Sequence, residues 1–153
     1  MNSSFKKLNI LFGIALFSFV VVNTATAQCK TAIKDGITKL APYPHNGEVN
    51  NVNLEKGKPA EIHLSFYKGA SYKIQLCSEE ALGKVNFRVF DENNTEIFNS
   101  STANSADSWV FFSNSSQELV VEISSADKTK NGCAAVVVGM QVPKAARSSM
   151  RNL

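Results

Sequence analysis

From Val49 onward the apolar residues recur at every second position, the period of strands that bury one face. Ala60, Ile62, Leu64 and Phe66 alternate with Glu61, His63, Ser65 and Tyr67, and Tyr72, Ile74 and Leu76 alternate with Lys73 and Gln75, with a turn around Lys68-Gly69. Val85, Phe87 and Val89 face away from Asn86 and Arg88; Asp91-Glu92-Asn93-Asn94 supplies turn chemistry before a short strand over Thr95 to Phe98. Leu119, Val121 and Ile123 alternate with Glu118 and Glu122. Trp109 to Phe112 and Ala134 to Val138 are apolar on both faces, as strands covered on both sides are. About eight strands with breaks at short intervals predict an all-β, antiparallel β-sandwich with jelly-roll or Greek-key connections.

Two segments ahead of the strands depart from the twofold period. Ile33, Ile37 and Leu40 share one side of a short helix from about Thr31 to Leu40, which Gly36 weakens and Pro42 and Pro44 end; His45-Asn46-Gly47 follows as a turn. Lys6 and Lys7 precede an apolar run from Ile10 to Val22, and Ala25-Thr26-Ala27 offers small residues to a signal peptidase. This is the pattern of a secretory signal over residues 1–27. Its 13-residue apolar run falls short of the roughly 20 residues that cross a bilayer. Gln28 before Cys29 does not suit the lipoprotein peptidase, so a soluble product in the periplasm or outside the cell is expected, with no lipid anchor. The expected organisation is helix and turn over 28–47, a sandwich over 48–141, and a disordered basic tail over 142–153.

Cleavage after Ala27 would remove Lys6 and Lys7 and lower the formal net charge from +3 to 14 − 13 = +1. A body this close to neutral lacks the basic footprint of a nucleic-acid-binding protein.

The strand pattern resembles that of bacterial pre-peptidase C-terminal domains, secreted jelly-roll-like modules. The resemblance is carried by Gly69-Ala70-Ser71-Tyr72-Lys73-Ile74-Gln75-Leu76, Val85 to Asp91 with Ile97-Phe98, Glu118 to Ile123, and Gly132 leading into the last apolar strand. It covers about residues 48 to 141 and implies non-catalytic help with export or attachment. The three cysteine positions are also similar to those of short, stand-alone secreted proteins of Gram-negative bacteria, which implies an envelope or extracellular protein.

In an oxidising compartment a thiol pair becomes a disulfide. Of three possible pairings, Cys77 with Cys133 is favoured, because one closes a strand and the other opens the last one. Cys29 is then left free or available for an intermolecular bond. The chain has no Cys-x-x-Cys and no Gly-x-Ser-x-Gly elbow, which argues against redox or serine-hydrolase chemistry. His45 and His63 are the two histidines; Glu61 and His63 share a strand face but would need further zinc ligands from elsewhere. Asp91, Asn93 and Glu96 could offer oxygens to calcium, although a turn accounts for the same residues. His63, Tyr67, Arg88 and Phe90 fall on outward strand positions where rings and charges could meet a partner. The leading expectation is a non-catalytic module that binds a polymer or protein at the cell envelope. An assembly protein linked through Cys29 is the alternative, and a small hydrolase the third.

Overall fold

The computed structural model describes residues 25–104 and 106–143. Most of the predicted signal and all but the first residues of the predicted basic tail lie outside them. Helix α1 (Ala25–Lys39) is followed by β1 (His45–Leu54), β2 (Ala60–Phe66), β3 (Ser71–Ser78), a 3-10 turn (Glu80–Leu82), β4 (Val85–Phe90), β5 (Glu96–Asn99), β6 (Ser108–Phe112), β7 (Gln117–Ser125) and β8 (Gly132–Gln141). The strands form two four-stranded antiparallel sheets, ordered β1-β8-β3-β6 and β2-β7-β4-β5. Strand 1 pairs with 8, 2 with 7, 3 with 6 and 4 with 5. This nesting is that of a long hairpin rolled into two layers, the jelly-roll plan.

The core between the sheets is built from the alternating positions the sequence marks. Leu54, Ile62, Leu64, Phe66, Tyr72, Ile74, Phe87, Val89, Leu119, Val121, Ile123, Ala134, Val136 and Val138 are all buried in one cluster. A run of rings crosses it. Phe87 meets Phe98, Phe98 stacks on Trp109, Trp109 on Phe111, and Phe111 contacts Phe66 and Tyr72, at centroid separations of 4.4 to 5.7 Å.

The apolar second face of β8 has a different cover. Helix α1 lies on the outer face of β8 and β3, where Leu40 packs with Cys77, Ala135 and Val137, flanked by Ala32, Ile33 and Ile37. Its C-terminal end is held by the Lys39–Asp107 ion pair at 3.0 Å and by the Lys73 ammonium, which donates to the Lys39 carbonyl, where the helix carries partial negative charge. Gly36, which weakens the helix by propensity, is the point of closest approach. A Cβ at this position would collide with the Cys77 Sγ. Gly36→Ala is therefore expected to destabilise the fold by about 1–3 kcal/mol through overpacking. Adding Cys77→Ala should recover most of that loss in a denaturation-based double-mutant cycle; equal losses with and without Cys77 would show that the contact is not the cause.

Three local expectations change. Within the described residues the helix already runs from Ala25 rather than from near Thr31, so it takes in the predicted cleavage motif. His45-Asn46-Gly47 is not a separate turn but the irregular start of β1, with Gly47 at φ +94° where the register shifts. Strand β6 is covered on one face only: Trp109 and Phe111 face the core, while Val110 and Phe112 are about half exposed on an edge strand beyond the helix.

Candidate functional site

The outer face of β2, β7 and β4 is the counterpart of the helix-covered face on the other sheet, and no described element lies across it. Antiparallel register assembles it from residues far apart in sequence. On β7, Val120 is flanked by His63 of β2 and Phe90 of β4, and Glu122 by Glu61 and Arg88. Three of the four residues singled out from the sequence, His63, Arg88 and Phe90, thus share one face. Tyr67 does not join them: β2 ends at Phe66, and Tyr67 stands 69% exposed in the following turn. There its backbone N–H donates to the Tyr72 hydroxyl at 2.9 Å.

Charge on this face is ordered as well as exposed. Arg88 donates to Glu122 Oε1 through Nη2 at 2.6 Å and Nε at 3.0 Å, and to Glu96 Oε2 through Nη1 at 3.2 Å. Hydrogen bonding to Glu122, partly opposed by burial and supplemented by Glu96, strengthens the guanidinium's hold on its proton. The Arg88 head lies 5.0 Å from the Phe90 ring centroid, a cation–π distance. His63 Nδ1 is 2.9 Å from Glu118 Oε1. Glu61, Glu96, Glu118 and Glu122 set four carboxylates against one guanidinium and one histidine, so the face is acidic. The partners of Arg88 on β7 and β5 are set by sheet pairing, and the alternation of polar residues within each strand is the only sequence signal for them.

Asp91, Asn93 and Glu96 do not converge as a cation loop. Asp91 Oδ1 accepts the backbone N–H groups of Asn93 at 2.9 Å and Thr95 at 2.8 Å, the turn that the sequence also permits. The Thr95 N–H first, and that of Asn93 against a burial effect, hold this carboxyl below its ordinary range. Glu96 is turned toward Arg88 and Asn99.

The cysteines overturn the expected pairing. Cys29 of α1 is bonded to Cys133 of β8, with Cα atoms 5.7 Å apart, and Cys77 is the buried free thiol. Cys77 and Cys133 do sit on neighbouring strands and on the same face, but Cys77 is opposite Ala135, two residues along from Cys133. Diagonal neighbours of this kind are roughly 7–8 Å apart, beyond the reach of a disulfide. The helix laid across the strands brings Cys29 into the position that sequence pairing cannot supply. An intermolecular role for Cys29 is thereby excluded while this bond is intact. Burial pushes the Cys77 thiol up from 9.0 to about 11, only partly countered by the Lys39 ammonium, so it stays protonated at neutral pH.

No helix among the described residues is long and apolar enough to cross a membrane. A disulfide among buried residues belongs to an oxidising, extracytoplasmic setting, in keeping with the export pattern. No family model matches the chain, and no curated protein does, so the resemblance to pre-peptidase domains rests on strand pattern alone. Among solved structures the chain is similar to Aeromonas hydrophila PliG, a periplasmic lysozyme inhibitor of g-type lysozyme, with 12% identity, 61% of this chain and 85% of that chain covered, and a TM-score of 0.49. That is a likeness of shape, from which no role follows.

Proposed function

We propose that this protein is a non-catalytic extracytoplasmic binding module, and that it engages a protein partner with a basic surface through the outer face of β2, β7 and β4. The observation that carries this reading is the asymmetry of the sandwich. One sheet has the outer face of β8 and β3 covered by α1, whereas the other presents an ion-paired, acidic lattice around Phe90 and Val120 with no described element over it. Arg88, bridged to two glutamates, and the Phe90 ring beneath it form a fixed platform, so little side-chain freedom is lost on docking. The surrounding carboxylates would steer a cationic partner and make association salt-dependent.

Passing envelope proteins over the immobilised chain tests this. Basic proteins should be retained at low salt and released as salt rises, and the double reversal Glu61→Lys/Glu118→Lys should abolish retention without lowering thermal stability. Phe90→Ala should weaken binding, whereas Tyr67→Ala, outside the lattice, should leave it nearly unchanged. Retention indifferent to the double reversal would overturn the assignment of this face.

A further inference from the structure

A carboxylate is buried against the disulfide. Glu79, at 7% exposure, follows β3 directly, and its backbone N–H donates to the Cys133 carbonyl at 3.1 Å. Its side chain turns back so that Oε1 accepts the Cys133 N–H, also at 3.1 Å. Among the described residues Glu79 makes no ion pair, and a buried carboxylate without a cationic partner is costly. The two sulfurs and a Glu79 oxygen lie within 4.8 Å of one another. Beside them runs a groove of about 740 Å³ lined in part by Ile33, Leu54 and Asn131, which leaves the cluster reachable from solvent.

From this geometry we infer that, once the disulfide is reduced, Cys29, Cys133 and Glu79 form a binding site for a thiophilic divalent cation of the zinc class, the groove admitting a water as fourth ligand. A dithiol reductant opens the bond: its two thiols become a disulfide, while Cys29 and Cys133 each gain a hydrogen. The cation then takes both sulfurs as thiolates and two protons are released. Two thiolates on one tetrahedral zinc stand about 3.8 Å apart, given Zn–S bonds of about 2.3 Å. Side-chain rotation on Cα atoms 5.7 Å apart can reach that separation with the helix still docked. Two soft thiolates with one carboxylate select zinc-like ions over calcium or magnesium. Cys77, beneath Gly36 farther along α1, is not a ligand and serves as a reporter of helix docking.

The test uses the full chain, reduced under anaerobic conditions, with zinc ions in competition against a chromophoric chelator and cobalt ions for thiolate charge-transfer absorption. One ion per chain should bind to the reduced protein and none to the oxidised protein. Cys77→Ala should bind as wild type, and Glu79→Gln should lose at least roughly tenfold in affinity, the loss that even outer-shell partners of a metal cause. Alkylation of Cys77 shows whether the site is assembled: zinc should keep Cys77 protected in the reduced chain. Unchanged affinity in Glu79→Gln, binding by the oxidised protein, or a Cys77 that reacts as fast with zinc as without it would each overturn the inference.

Discussion

Cys29→Ala is expected to lower stability by about 4–5 kcal/mol, the chain-entropy value for a closed loop of about 100 residues. The bond spans 104 residues and joins α1 to the last strand, so it closes nearly the whole described fold into one loop. The consequence should be structural as well as energetic. Lys39–Asp107 and Lys73 hold only the C-terminal end of α1, so without the disulfide the helix should lift from the sheet starting at its N-terminal turns, which lowers the far-UV helical signal and opens the cover over Cys77. The same variant tests the pairing. If Cys77 and Cys133 cannot bridge, two free thiols will titrate in denaturant under non-reducing conditions; a single new disulfide and unchanged stability would contradict the arrangement described above.

Phe87→Ala should follow closely, at about 3–5 kcal/mol, the range for emptying a buried aromatic site. Phe87 is fully buried at the centre of β4, and its backbone N–H donates to the Ser100 hydroxyl at 2.9 Å. Its ring contacts Phe98, which in turn stacks on Trp109. The cavity therefore opens at the end of a continuous row of rings, which cannot close over it without separating. Because Trp109 is the single tryptophan of the chain, its fluorescence should shift in the folded variant as well as at a lower denaturant midpoint. A lower midpoint with unchanged native emission would mean that the row does not transmit the loss. A cost below about 1 kcal/mol would mean that the site collapses around the missing ring.

Much of the sandwich was legible in the chain because strand burial has a period of two, and that period survives in a linear sequence. Ile62, Leu64 and Phe66, or Leu119, Val121 and Ile123, declare their inner face without knowledge of any partner. The doubly apolar run Ala134 to Val138 likewise signals cover on both sides, although not that α1 supplies it. The same logic fails for Val110 and Phe112, since an apolar residue at the edge of a sheet looks identical in sequence to one at its centre. It also fails for Gly36. Propensity counts the glycine against a helix, whereas the requirement it meets is the closeness of Cys77 on another element.

The candidate surface divides along the same line. That His63, Arg88 and Phe90 point outward follows from alternation within their own strands. That Val120 sits between His63 and Phe90, and that Glu122 and Glu96 clasp Arg88, follows from register between strands separated by tens of residues. The sequence by itself determined the all-β class, the inward and outward sets of each strand, and an export pattern that favours disulfides. Only the tertiary structure decided which cysteines meet, which outer face stays open and where Glu79 is buried. Local periodicity is a property of consecutive residues, while the crossing of a helix over a sheet is set by packing between elements that the linear order leaves unpaired.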